Sequence, residues 1–425
     1  MCSFIFTTKT INSSDIARVN KYTVFRGPDD TTITRYDKFT MIHNLLDISG
    51  ELRTQPILDG DQILLFNGEI YNSQSKCDTD DIIPLFRKER SNMVNYLDGE
   101  YAIVIFDSPS NSIFIYTDIF ATKPLYYCVQ DNDIGISTYE APLIELGFND
   151  IKRVSYSTEL QINLNTNQVY TRKHSPFDLR EYKNSYDSCF QALEESVAKR
   201  CTKKCALGLS EGYDSGCILQ ASINTHCSEL HSYYIRTTPS SDEIMLKRSN
   251  ICQSYKVIDY TTYPNIQNKI EASKLFPLVE NIRHNNGESL YTDSSTLLLS
   301  KMFREIREDG INIFISGQGG DEITCNYQKY RPFFTDLAAQ FPWENFYNGK
   351  NYQYISYTER IGGVYGIEVR YPLLDKKFVQ NFLNLKRELK NKAYKSVLYE
   401  YMMLNNTPMI ANRKRGLHVP RELER

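Results

Sequence analysis

The apolar positions of the chain change period near residue 180, and the two sides of that change read as different architectures. Upstream, short apolar runs alternate with turns. Ile63-Leu64-Leu65-Phe66 ends at Asn67-Gly68, and Tyr101 to Phe106 is followed by Ser108-Pro109-Ser110-Asn111 and a return run from Ile113 to Tyr116. Leu125 to Val129 and Ile134-Gly135-Ile136 flank Asp131-Asn132-Asp133 in the same way. Runs of this length bounded by turn residues predict antiparallel hairpins. From Thr171 to Asp187 the chain becomes polar around Pro176, which separates a first domain over 2–175 from a second over 186–425.

Downstream, Phe190, Leu193 and Val197 recur at helical spacing. Strands are predicted at Cys205 to Leu209, Leu230 to Ile235, Val257-Ile258 and Ile311 to Ile315. Between them fall helices starting near Cys217, from Asp242 to Tyr255 behind the cap candidate Ser241, and from Ser295 to Glu308. Such alternation predicts an α/β parallel sheet covered by helices. In these sheets ligands bind beyond the carboxyl ends of strands, so chemistry is expected in the loops after Leu209 and Ile315.

Composition narrows the function classes. The 425 residues carry 49 basic and 52 acidic side chains, a formal charge of -3, which excludes a global field toward nucleic acid or anionic membrane. No apolar run reaches the about 18 residues of a membrane span, and the amino terminus lacks the basic flank of a signal peptide, so a cytoplasmic location is expected. Ten cysteines stand singly; Cys201 and Cys205 have no second pair or histidine cluster to complete a zinc site, and they read as small buried apolar residues. Cys2 differs by position. With Met1 removed, it bears a thiol and an α-amine on one residue, and that amine is a base for its own nucleophile.

Two loops carry the chemistry of the second half. Ser210-Glu211-Gly212-Tyr213-Asp214-Ser215-Gly216 and Ser316-Gly317-Gln318-Gly319-Gly320-Asp321-Glu322 each leave a strand and enter a helix, offering backbone N–H groups and hydroxyls to an anion. Asp214 and Asp321 are placed to share a magnesium ion on pyrophosphate oxygens. In the first half, Asn67-Gly68 offers a carboxamide and a glycine N–H, the composition of an oxyanion hole. Arg26-Gly27-Pro28-Asp29 is a structural bend or a substrate contact, and Asp78 caps the following helix or pairs with a ligand ammonium.

Cys2, Arg26-Gly27-Pro28-Asp29, Asn67-Gly68-Glu69-Ile70-Tyr71-Asn72, Asp98-Gly99-Glu100-Tyr101-Ala102 and Lys123-Pro124-Leu125-Tyr126-Tyr127 occur in the order found in class II glutamine amidotransferase domains. With the two strand-end loops, Gly366 to Asp375, Lys395 and Arg413 to Pro420, nearly the whole chain resembles the glutamine-hydrolysing asparagine synthetase family. The resemblance implies an N-terminal nucleophile hydrolase αββα sandwich followed by an ATP-pyrophosphatase domain. It implies Cys2 as nucleophile, Asn67 and Gly68 as oxyanion hole, and Arg26, Asn67, Glu69 and Asp78 around glutamine. ATP and pyrophosphate would be bound by Ser210, Gly212, Asp214, Ser215, Ser316, Gly317 and Lys395, with magnesium on Asp214 and Asp321. The partners implied are glutamine, ATP and a carboxylate acceptor, aspartate by default, and the assembly implied is a homodimer.

Four departures qualify the resemblance. Glu211 replaces a glycine and Gly216 a serine of the pyrophosphate loop; Gln318 stands where the family has a proton-handling glutamate; Leu45 stands where it has an arginine for the glutamine carboxylate, with Arg53 a possible substitute. Tyr291 to Ser300, the family's aspartate-reading stretch, aligns poorly. Three readings follow: asparagine synthesis, the same chemistry on another carboxylate such as a sugar acid or peptide, or a glutaminase with a non-catalytic nucleotide-binding second domain.

Overall fold

The structure is a computed structural model that describes residues 2–227, 229–237, 242–259, 294–326 and 333–410. Ser241, residues 291–293 of the aspartate-reading stretch and the Arg413 to Pro420 segment lie outside the described residues. The chain divides into two compact units, Met1–Pro176 with Gly362–Ile367, and Phe177–Ile361 with Glu368–Arg425.

The strands of the first unit are β1 (Ser3–Thr7), β2 (Asp30–Tyr36), β3 (Phe39–Leu45), β4 (Ile57–Asp59), β5 (Gln62–Ile70), β6 (Gly99–Asp107), β7 (Ser112–Thr117), β8 (Tyr126–Gln130), β9 (Asp133–Ser137), β10 (Lys152–Arg153), β11 (Thr158–Asn163) and β12 (Val169–Lys173). They form two six-stranded antiparallel sheets, ordered β10-β8-β9-β1-β3-β2 and β12-β11-β7-β6-β5-β4. Side chains alternate across each sheet. Phe4, Phe6, Phe39 and Met41 meet Ile63, Leu65, Ala102, Val104 and Phe106 in the layer between the sheets. The opposite faces are also covered. Leu64, Phe66, Ile103 and Ile105 pack on Ile82, Ile83 and Phe86 of α2 (Ile82–Glu89), and Ile5 and Ile42 pack on Ile16 and Val19 of α1 (Ser13–Asn20).

Strands buried on both faces need apolar residues at every position, which is why β5 and β6 read as unbroken runs. The hairpin turns fall where expected: Asn111, at the β6–β7 turn, and Asp131 and Asn132, at the β8–β9 turn, all take positive φ. Periodicity alone missed α1, α2 and α3 (Glu140–Glu145) because each is eight residues or shorter and shows only two or three inward positions. The αββα sandwich is nonetheless the architecture found.

In the second unit β13 (Cys205–Gly208), β14 (Leu230–Arg236), β15 (Ser254–Asp259), β16 (Ile313–Ile315) and β17 (Glu368–Arg370) form a parallel sheet ordered β15-β14-β13-β16-β17. The chain moves outward from β13 through β14 to β15 and then returns to the other side of β13 as β16. The adjacent carboxyl ends of β13 and β16 are therefore the switch point at which such sheets bind ligands. Helices α4 (Asp187–Arg200), α5 (Tyr213–Asn224) and α6 (Asp242–Ser249) lie along this part of the chain. Two boundaries differ from the sequence reading. The helix predicted to Tyr255 stops at Ser249, because Ser254 and Tyr255 pair with His231 and Ser232 in the sheet; α5 starts at Tyr213, directly off the loop, rather than near Cys217. Among the described residues no helix is long and apolar enough to cross a membrane.

Candidate active sites

The first site follows from alternation along three strands. Phe4 and Phe6 face the inter-sheet layer, so Cys2, one period earlier, falls on the same face at the layer's end. Ile63 and Leu65 turn Asn67 inward, while Phe39 and Met41 turn His43 inward opposite Phe4. Cys2 is 8% exposed and Asn67 fully buried. Neither Asn67 Nδ2 nor Oδ1 has a hydrogen-bond partner among the described residues. An unsatisfied buried amide costs about 1–3 kcal/mol, so its persistence here marks a group that a ligand completes. Gly68 follows at φ 148, and a Cβ there would lie 2.0 Å from the Glu100 carbonyl oxygen, so only glycine fits.

The other residues of the first site hold this geometry. Buried Arg26 donates from Nε to the Cys2 carbonyl at 3.0 Å and from Nη1 to Tyr139 Oη at 2.9 Å, fixing the backbone that bears the thiol. Glu69 accepts Ser49 Oγ at 2.9 Å, and Asp78 accepts the Ile70 N–H at 2.9 Å. Asp78 does not cap through its side chain: it is the first residue of the turn Asp78–Asp81, whose cap position is Cys77. Leu45 is buried in β3, and Arg53 pairs with Asp80 at 3.0 and 3.1 Å, so its guanidinium is engaged by a carboxylate of the protein. Other motif residues are structural. Lys123 pairs with Glu100 at 3.3 Å, both buried, and Asn72 Oδ1 accepts the Asp98 N–H at 2.9 Å. His43 was not found from sequence; burial pushes its pKa down to about 3, so it is a neutral imidazole, and no motif announces it.

In the second unit the two strand-end loops meet at one lysine. Lys395 Nζ lies 2.6 Å from both oxygens of Asp214 and 3.0 Å from Asp321 Oδ1. Burial disfavours the ammonium, but the Asp214 and Asp321 carboxylates outweigh it and raise its pKa well above the ordinary lysine value. Two glycines make the meeting possible. A Cβ on Gly320 would lie 2.1 Å from Asp214 Oδ1, and one on Gly317 3.2 Å from Asp214 Cβ. Lys395 itself is held at φ 46, a strained position for a non-glycine residue, immediately before the helix Ser396–Leu404. The carboxylate pair is the hard oxygen donor set that suits magnesium.

Ser215 Oγ accepts the Ser210 N–H at 3.0 Å, Ser210 Oγ lies 3.0 Å from Ser215 Oγ, and Gly212 N donates to Ser210 Oγ at 3.2 Å. These bonds close the loop into a ring. Gly212, at the cap position, offers no side chain to the first turn of α5, which leaves that helix end suited to an anion. On the second loop, Gln318 Nε2 donates to Thr358 Oγ1 at 2.6 Å, and Thr358 in turn donates to the Tyr354 carbonyl at 2.8 Å. That relay fixes the amide orientation. Gln318 Oε1 is left buried without a partner among the described residues, an acceptor that cannot take up a proton at neutral pH.

Two departures in the pyrophosphate loop are explained by a residue that sequence reasoning missed. Arg248, fully buried on α6, donates from Nη1 to the Gly212 carbonyl at 3.0 Å, from the same nitrogen to the Ser210 carbonyl, and from Nε to the Pro408 carbonyl at 3.0 Å. A Cβ on Gly216 would lie 2.4 Å from Arg248 Nη2, so the missing serine is what admits the guanidinium. Burial pushes the Arg248 pKa down to about 10, Glu211 supports its charge, and it stays a cation at neutral pH. Glu211 is thus near enough to Arg248 for its carboxylate to favour the buried cation. Gly216→Ser should force Arg248 out of place and lower stability by about 1–3 kcal/mol. Unchanged thermal unfolding of that variant would show that the two residues are not coupled.

Both units resemble known proteins. Residues 1–170 match the glutamine amidotransferase domain model, and residues 190–352 match the asparagine synthase model. A putative glutamine-hydrolyzing asparagine synthetase 1 of Methanocaldococcus jannaschii is 25% identical over 410 residues, covering 86% of this chain and 73% of that protein. Glutamine-hydrolyzing asparagine synthetase 1 of Lotus japonicus is 24% identical, covering 92% of this chain and 69% of its own length. The Saccharomyces cerevisiae asparagine synthetase 1 is also 24% identical, over 85% of this chain and 71% of that protein. With both domains present in order, the chain belongs to the glutamine-hydrolysing asparagine synthetase family.

Proposed function

We propose that the chain hydrolyses glutamine at Cys2 and uses the ammonia for ATP-dependent amide synthesis at the Asp214–Lys395–Asp321 site, with aspartate as the acceptor. In the first half-reaction the Cys2 sulfur attacks the side-chain carbonyl carbon of glutamine, and the α-amine takes the thiol proton and passes it to the leaving ammonia. Asn67 Nδ2 and the Gly68 N–H hold the oxyanion, and water then cleaves the thioester to glutamate. Arg26 keeps the Cys2 backbone in register for both steps. Glu69 and Asp78 receive the substrate ammonium.

In the second half-reaction the acceptor carboxylate attacks the α-phosphorus of ATP, giving an acyl-adenylate and pyrophosphate. Ser210, Gly212, Ser215, Ser316 and Gly317 line the phosphates, and Lys395 neutralises charge on the departing pyrophosphate. Asp214 and Asp321 would hold magnesium, which would supply further neutralisation of the phosphate charge. Ammonia then displaces AMP from the acyl carbon. The observation that carries the synthetase reading is the convergence of two strand-end aspartates on one buried lysine, an arrangement that a purely glutamine-hydrolysing protein does not need.

Gln318 favours a second reading, the same chemistry on another carboxylate. Amide formation from ammonia sheds a proton, and the carbonyl at this position accepts a hydrogen bond without serving as a base. The two readings separate by product mass spectrometry after incubation with glutamine, ATP, magnesium and a panel of carboxylates that includes aspartate. Asparagine, AMP and pyrophosphate in equal amounts are expected, with more asparagine from Gln318→Glu. Amidation of a different acceptor selects the second reading, and glutamate without AMP under every condition overturns both.

A further inference from the structure

Away from both sites, three thiols from three elements converge at the amino end of β13. Cys201 follows α4, Cys205 opens β13 and Cys227 lies just past the end of α5. Their sulfurs lie within 4.8 Å of one another. Cys201 and Cys205 are buried, while Cys227 is partly exposed. The sequence showed only the Cys201 and Cys205 pair; the parallel pairing of β13 with β14 brings in Cys227, which lies shortly before β14 in the chain. Buried cysteines ordinarily fill space as small apolar groups. Three sulfurs at one point, with one edge reaching solvent, are instead the donor set of a soft metal site.

We propose that Cys201, Cys205 and Cys227 bind a thiophilic divalent cation, zinc by ligand chemistry, with water as the fourth ligand on the Cys227 side. A tetrahedral zinc with bonds of about 2.3 Å sets its sulfurs about 3.8 Å apart, so the side chains close by at most about 1 Å. In the thiol form Cys227 donates to the Cys201 carbonyl at 3.2 Å. Binding releases the thiol protons to solvent, so affinity falls as pH falls. The cation would tie the end of α4 to the far ends of β13 and α5, whose near ends carry the Ser210 to Gly216 loop. Its role is structural support of the nucleotide site, at the opposite end of the strand from the chemistry.

Cobalt is the probe. The reduced full chain titrated with Co2+ should develop intense sulfur-to-cobalt charge-transfer absorption that saturates near one equivalent, bleaches on adding Zn2+ and resists excess Mg2+. Cys227→Ser, at the partly exposed ligand and so mild for the core, should weaken cobalt binding about tenfold or more. Absence of the charge-transfer band in the reduced wild-type chain overturns the proposal, whatever the variant does. So does a band that Cys227→Ser leaves unchanged, or an isolated chain holding a disulfide among these cysteines that binds no cobalt once reduced.

Discussion

Replacing Cys2 with alanine is expected to abolish glutamine-driven product while leaving ammonia-driven product intact. The expectation rests on the proposed division of labour within the chain, with the Cys2 thiol as the covalent nucleophile of the first unit and ammonia supplied in the buffer needing only the second. Removal of a covalent nucleophile lowers amide hydrolysis by at least about 10⁴-fold, because the remaining oxyanion donors have no tetrahedral adduct to stabilise. Folding should change little, since alanine removes one sulfur at the end of the inter-sheet layer and leaves the Cys2 carbonyl on which Arg26 Nε is anchored. Glutamate release from glutamine and amide formation from ammonium salts, measured side by side, check the two halves separately. Undiminished glutamate release from Cys2→Ala would remove the thiol from the reaction.

Asp321→Asn should abolish acceptor-dependent release of pyrophosphate from ATP, by about 10²-fold or more, and spare glutamine hydrolysis. The substitution keeps the shape of the side chain, and Lys395 retains Asp214 at 2.6 Å, so the buried ammonium is not stranded. What disappears is half of the carboxylate pair that both the lysine and a divalent cation require. The effect should be greatest at low magnesium, and added magnesium should recover part of the rate if the loss lies in metal affinity. Normal pyrophosphate release from Asp321→Asn would separate this carboxylate from ATP chemistry altogether. Lys395→Ala is a less informative variant, because it leaves two partly buried carboxylates facing each other and so threatens the fold at a cost of about 3–5 kcal/mol.

The motifs that survive in this chain divide into those that do chemistry and those that hold it. Arg200 at 3.0 Å and Lys199 at 2.5 Å grip Asp375, and Arg370 grips Glu368 at 2.7 Å, all but Lys199 buried in the second unit. These pairs give Glu368, Arg370 and Asp375 of the Gly366 to Asp375 motif a structural role. The departures also divide. Glu211 and Gly216 belong together in the structure, because Arg248 packs against the position of a Gly216 Cβ and its charge is favoured by Glu211. Gln318 has no such compensation among the described residues: its Nε2 is tied to Thr358 and its Oε1 is left without a partner.

Sequence by itself determined the two-part architecture, since unbroken apolar runs separated by turns and strand-helix alternation are local patterns that secondary structure imposes on any chain. It also located Cys2, Asn67-Gly68 and the two strand-end loops, because an N-terminal thiol, an amide beside a glycine and glycine-rich strand ends must each be contiguous to work. Only the tertiary structure decided how these pieces meet. Asp321 comes beside Asp214 because β13 and β16 are neighbours, and Lys395, 181 positions from Asp214, reaches both because its helix Ser396–Leu404 packs on α5, facts of tertiary packing and not of spacing. Arg248 looks like any charged residue on a short helix until the absent Cβ of Gly216 shows where its guanidinium lies. Cys227 joins Cys201 and Cys205 for the same reason: parallel pairing brings together strand ends that a whole crossover helix separates in the chain, and contacts of that kind leave no periodic mark on the sequence.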